Sequence, residues 1–127
     1  MKILCIIPAR LGSSRFPNKP LKLINNIPMI GYVYKKVIKN KSLTKTYVAT
    51  CDKKINDYIN SINGNCIMTS KKHERASDRC AEAVKKIEKK ENINFNIIVM
   101  VQGDEPLINA KMIDQAIKPM LKDKKIE

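Results

Sequence analysis

With 127 residues, 43% of them hydrophobic and none of them Trp, the chain can bury one modest core and is short for two domains. Its 25 Lys plus Arg against 12 Asp plus Glu give a formal net charge of +13, which points to anionic partners: nucleotides, nucleic acid, acidic sugars or a membrane surface. The four Cys, at 5, 51, 66 and 80, have no CxxC or Cys/His metal spacing, so they read as free thiols, mostly buried, in a reducing cytosol.

Chain order begins with "MKILCIIPAR". Its apolar run has strand length, and Pro8 and Arg10 end it before it resembles a signal-peptide core or a membrane span. The expectation is therefore a cytoplasmic protein. "IIPARLGSSRFPNKPL" (6–21) follows as a loop with Arg10, Arg15 and Lys19 among Gly, Ser and Pro. "MIGYVYKKVIK" (29–39) spaces Met29, Ile30, Val33 and Val37 as a helix does, and "KTYVAT" (45–50) reads as the second strand. "DKKINDYINSI" repeats the helical spacing through Ile55, Tyr58, Ile59 and Ile62, with Asp52 placed to cap it and Asn63-Gly64 to stop it. A short strand, "NCIMT", precedes a helix from about Ser77 to Glu91 with Cys80, Ala83, Val84 and Ile87 on one face. The strand "FNIIVMV" then leads into "QGDEP" and a last amphipathic helix through Met112, Ile113, Ala116 and Ile117. Alternating strands and helices with near-continuous apolar strands predict a single α/β domain over 1–127: three layers, α/β/α, with a mainly parallel, Rossmann-like sheet covered on both faces.

In such sheets ligands bind beyond the carboxyl ends of the strands, where three polar segments fall. The opening loop matches neither G-x-G-x-x-G nor a Walker P-loop. Gly12, Ser13 and Ser14 can still offer backbone N–H groups and hydroxyls beside Arg10, Arg15 and Lys19, a combination that suits a triphosphate; a solvated basic loop is the alternative. "QGDEP" places Asp104 at the sheet edge, either as a ligand for Mg2+ or as a helix cap or turn residue. "SKKHERASDR" carries the only His, His73, which could act as a general base or as a hydrogen bonder that holds its loop. Phosphoryl-type transfer to an acidic sugar can run on positioning and metal charge, which favours the second role.

"IIPARLGSSRFPNKPL", "NNIPMIGYVYKK", "YVATCD" and "VQGDEPLI", in this order and spacing, resemble the amino-terminal half of the 3-deoxy-manno-octulosonate cytidylyltransferases (CMP-Kdo synthetases), within the cytidylyltransferases for acidic sugars. The resemblance implies the nucleotide-diphospho-sugar transferase fold, truncated at residue 127. It further implies an Mg2+-dependent reaction of CTP with a 2-keto-3-deoxy sugar acid to give the CMP-sugar and pyrophosphate in lipopolysaccharide synthesis, by a homodimer. Carried onto this sequence, it places Arg10, Arg15 and Lys19 on the triphosphate, Ala9 beside the cytosine, Gln102 on substrate and Asp104 on the metal. Arg10, Lys19 and Asp104 are the expected catalytic residues; Gly12, Ser13, His73, Ser77 and Arg79 complete the expected CTP and sugar contacts. The middle motif of the family, His-x-Ser-Gly-Thr-Asp/Glu-Arg, is matched at His73, Ser77, Asp78 and Arg79, while Arg75 and Ala76 replace its Ser-Gly pair.

Two rival readings stand beside this one. A non-catalytic nucleic-acid-binding module would use the net charge, but the aromatics are scattered rather than set as a stacking platform and "QGDEP" would repel a phosphate backbone. A cytidylyltransferase for another acidic sugar, such as 8-amino-Kdo or a nonulosonic acid, shares the loop logic. Neither nucleic-acid binding nor membrane insertion is expected. The family's chains continue well beyond residue 127, with further strands, much of the sugar pocket, a second metal-binding Asp and the dimer contacts, so the 127-residue chain alone is expected to be at most marginally stable and inactive.

Overall fold

In a computed structural model of the protein, which describes residues 2–11, 23–24, 27–72 and 75–102 (backbone alone at 23, 24 and 27), the first apolar run is strand β1 (Ile3–Pro8), buried along its whole length. The run is unbroken because successive side chains enter two different covered layers. Ile3, Cys5 and Ile7 belong to one core cluster, Leu4 and Ile6 to another. A two-stranded antiparallel hairpin, β2 (Leu23–Ile24) and β3 (Ile27–Pro28), leads into α1 (Met29–Val37). Then come β4 (Lys45–Thr50), α2 (Lys53–Ser61), β5 (Cys66–Met68), α3 (Ala76–Glu91) and β6 (Ile97–Met100). The expected elements up to residue 102 are all present. The hairpin was not anticipated, since two-residue strands leave no periodicity to read. The expected last helix lies outside the described residues.

β5, β4, β1 and β6 lie in that order in one parallel sheet. Ile30, Val33, Tyr34 and Val37 of α1 and Ile55 and Ile59 of α2 cover one face, and Cys80, Ala83 and Ile87 of α3 cover the other. This is the expected three-layer arrangement. The chain steps outwards from β1 through β4 to β5, then returns to pair β6 on the other side of β1. The carboxyl ends of β1 and β6 therefore lie at a topological switch point, the usual ligand crevice of such sheets.

Cover over β6 is uneven: Ile98 and Met100 are 38% and 45% exposed, while Ile97 and Val101 are buried. The cause is position: β6 is the outer strand among the described residues, and α3 packs over β1, β4 and β5.

The Asn63-Gly64 stop after α2 divides its work in an instructive way. Asn63 takes the left-handed conformation, with φ of 60°, and the Gly64 N–H donates to the Ile59 carbonyl at 2.8 Å. Gly64 is required for space: a Cβ there would lie 2.8 Å from Ile59 Cγ2, 2.9 Å from Tyr34 Cε2 and 3.1 Å from the Ile59 carbonyl oxygen. Gly64→Ala is therefore expected to destabilise the protein by about 1–3 kcal/mol, the usual range for overpacking. A thermal melt indistinguishable from wild type would show that Tyr34 and Ile59 move aside freely.

Candidate functional site at the carboxyl ends of the strands

Parallel strands bring their carboxyl ends to one edge, and here the sheet ladder runs right up to the loops. The Thr69 N–H donates to the Thr50 carbonyl at 2.9 Å, that of Ala9 to Ala49 at 3.0 Å, and that of Val101 to Ile6 at 3.0 Å. Across the edge stand Thr69 and Ser70 after β5, Cys51 and Asp52 after β4, Ala9 to Leu11 after β1, and Val101 and Gln102 after β6. Three strand spacings separate the ends of this row, roughly 15 Å. Residues expected from three separate sequence segments are thus anchored on one rigid platform.

Ala9 is 8% exposed. Its N–H is engaged in the ladder, as a donor to the Ala49 carbonyl. Arg10 follows with an exposed side chain, and Gln102 is exposed at the end of the neighbouring strand. The strands pair Ile6 with Met100, so Arg10 and Gln102 lie four and two residues beyond facing positions. Among the described residues, the switch point thus presents one cation, Arg10, and one amide, Gln102, to solvent.

Asp52 does something the sequence reading missed. It occupies the N-cap position of α2 with extended backbone, but its side chain makes no capping bond. Instead Asp52 Oδ2 accepts a hydrogen bond from the Leu11 N–H at 2.8 Å, across 41 residues of sequence. The Asp52 N–H donates to Thr50 Oγ1 at 3.1 Å, and the Cys51 thiol lies 3.8 Å from Asp52 Oδ2. An acidic residue two positions after the end of a strand was the signal available, and the capping role expected of it concealed the longer-range one.

The loop after β5 is held by one face of α3. Arg79 is 3% exposed, and its Nη1 donates to Thr69 Oγ1 at 2.7 Å and to the Ser70 carbonyl at 3.4 Å. A guanidinium is tolerated at such depth because its protons are hydrogen-bonded. Glu82 accepts from the Ser70 N–H at 3.1 Å, and Lys86 donates to the Met68 carbonyl at 2.9 Å while pairing with Glu82 at 2.8 Å. Any contact of Arg79 with a ligand thus runs through a loop that it also supports. Ser77 is exposed on the first turn of α3. Arg75, which replaces a small residue of the resembled motif, turns its Nε to Asp78 Oδ2 at 3.2 Å, with a side chain 80% exposed.

All four cysteines are free, Cys5 and Cys80 buried, Cys51 and Cys66 partly so. Burial pushes the thiols of Cys5 and Cys66 up to about 12 and that of Cys80 to about 11. These three stay protonated at neutral pH and act as small core groups, not nucleophiles. Gly12, Ser13, Arg15, Lys19, His73 and Asp104 lie outside the described residues. Among the described residues no group of three or more His, Cys, Asp or Glu gathers to hold a metal, and no helix is long and apolar enough to cross a membrane.

Comparison with known proteins places this geometry. The cytidylyltransferase family model matches residues 4–126. The 3-deoxy-manno-octulosonate cytidylyltransferase of Trichlorobacter lovleyi is 47% identical over 121 residues, 95% of this chain and 46% of its own. That of Thermodesulfovibrio yellowstonii is 46% identical over 123 residues, 94% of this chain and 48% of its own. The solved structure of a CMP:2-keto-3-deoxy-manno-octonic acid synthetase complexed with CTP superposes with a TM-score of 0.90 at 34% identity, over 98% of this chain and 49% of that one. The chain spans about half the length of the curated relatives it matches.

Proposed function

Because the chain belongs to the cytidylyltransferase family, we propose that it carries the nucleotide-binding part of an enzyme that transfers CMP from CTP to 3-deoxy-manno-octulosonate in lipopolysaccharide synthesis. The observation that supports this reading is the switch point itself: Arg10 follows β1 and Gln102 follows β6, on neighbouring strands at the carboxyl edge of a parallel sheet. A solved relative of closely similar fold is a synthetase complexed with CTP.

In this reading the anomeric hydroxyl of the sugar attacks the α-phosphorus of CTP. A sugar-oxygen to phosphorus bond forms as the hydroxyl releases its proton to water, the bond from the α-phosphorus to the bridging oxygen breaks, and pyrophosphate leaves in line. Negative charge grows on the departing oxygens, where Arg10, Arg15 and Lys19 would absorb it. Backbone and hydroxyl groups of Gly12 and Ser13 would seat the phosphates, the Ala9 carbonyl would face the cytosine, and His73, Ser77, Arg79 and Gln102 would orient base and sugar. Mg2+ belongs to the same proposal, with Asp104 as its holder; when bound, such an ion neutralises phosphate oxygens. The protein would work in the cytoplasm as a homodimer.

The test is a titration of the protein with CTP and UTP, with and without Mg2+, followed by mass analysis of products formed with 3-deoxy-manno-octulosonate, 8-amino-Kdo or a nonulosonic acid. CTP is expected to bind at least tenfold tighter than UTP (about 1.4 kcal/mol), and more tightly with Mg2+ present. Equal affinity for the two nucleotides would overturn the choice of CTP, a CMP conjugate of another sugar would correct the acceptor, and salt-sensitive DNA binding without nucleotide binding would favour the nucleic-acid module.

A further inference from the structure

We propose that Asp52 is a positioning residue for the nucleotide site: its carboxylate fixes the backbone at Leu11, the last described residue before the basic segment 12–19. The inference rests on the CTP-binding reading above for its functional consequence, and on geometry alone for its structural part.

Three observations carry it. An Asp at an N-cap ordinarily turns its side chain back to the first N–H groups of its own helix; Asp52 forgoes that bond and reaches instead to the Leu11 N–H at 2.8 Å. Asp52 is also held from below. Its N–H donates to Thr50 Oγ1, and Thr50 is fully buried in β4, so the carboxylate projects from the sheet rather than from a freely moving turn. Finally, Leu11 is the last residue before Gly12 to Lys19, the segment with the phosphate-type groups. On one side of the loop's stem the Ala9 N–H is tied to Ala49 of β4, and two residues on the Leu11 N–H is tied to Asp52 just beyond the end of β4. Arg10 stands between these two ties. Both alternate N–H groups of the stem are thus bonded to the same neighbouring segment, which extends the parallel ladder past the strand by means of a side chain. A carboxylate near a polyanion site disfavours the ligand electrostatically, and here that effect is offset by a charge-assisted bond to a backbone N–H that aims the residues doing the binding.

The test compares Asp52→Ser with Asp52→Asn. Serine is a good N-cap residue, so α2 keeps its start, but the shorter side chain does not reach Leu11; asparagine keeps an acceptor oxygen at the same distance. Amide exchange at Leu11, measured without nucleotide, is expected to be at least tenfold faster in Asp52→Ser and within a few-fold of wild type in Asp52→Asn. The CTP dissociation constant is expected to rise about tenfold in Asp52→Ser and to stay near wild type in Asp52→Asn. Wild-type exchange at Leu11 in Asp52→Ser would overturn the structural part. Faster exchange with undiminished CTP affinity would overturn the positioning role. Absence of CTP binding by the wild-type protein would sink the functional reading instead, and the exchange comparison would still decide whether Asp52 holds Leu11.

Discussion

In a version extended to the full length of its relatives, Arg10→Ala is expected to lower CMP-sugar formation by about a hundredfold or more while leaving the melting temperature essentially unchanged. The two halves of this expectation have separate causes. Removing one preorganised group that meets developing charge in a transition state typically reduces turnover by about 10²–10³, and Arg10 is the described cation nearest the switch point, directly after β1. Its side chain is exposed, whereas the backbone on either side of it is secured by bonds to Ala49 and Asp52. Truncation therefore takes away charge without opening a cavity, and surface substitutions of this kind usually change stability by no more than about 0.5 kcal/mol. Arg10→Lys should recover only part of the activity, since the charge returns without the planar fork that grips two phosphate oxygens. Undiminished turnover in Arg10→Ala would remove Arg10 from the site. A fall of several degrees in melting temperature would assign it to the fold.

Ile6→Ala should be the most damaging of the stability changes considered, with a loss of about 2–5 kcal/mol. Ile6 is fully buried, lies at the middle of the sheet with Tyr47 of β4 and Met100 of β6 as register partners, and packs in the cluster that Tyr47 and Ala49 form with Cys80, Ala83 and Ile87 of α3. Both strand neighbours are held by the ladder, so the sheet cannot close over the vacated volume, and collapse would have to come from α3. Against a typical total of about 5–15 kcal/mol, the variant would sit close to unfolding, and denaturant titration should show a lowered midpoint with an unchanged slope. Ile6→Val, which removes one methylene, should lose only about 0.5–1.5 kcal/mol. A loss below about 1 kcal/mol in Ile6→Ala would mean that α3 shifts readily onto the sheet, and the three-layer packing would then be looser than the burial implies.

Much of this protein can be read from local pattern. β4 begins and ends where "KTYVAT" does, α2 starts after Asp52 and ends before Asn63-Gly64, and α3 buries Cys80, Ala83 and Ile87 as the 3.6-residue period requires. These features depend on groups within about four residues of each other, so the sequence determines them without reference to the rest of the chain. The four motifs in fixed order likewise point to the family, and the cytidylyltransferase model matching residues 4–126 bears this out. Tertiary structure decided what local pattern leaves open. Asp52 could cap its own helix or serve another segment, and only the adjacency of β1 and β4 put the Leu11 N–H within reach. Arg79 could have faced solvent, and only the return of β5 beneath α3 supplied Thr69 and Ser70 to bury it. β6 reads as apolar throughout, and only its place beyond β1, away from α3, left Ile98 and Met100 exposed. In each case a side chain had more than one satisfactory partner or environment, and the packing of strands and helices decided which one it met.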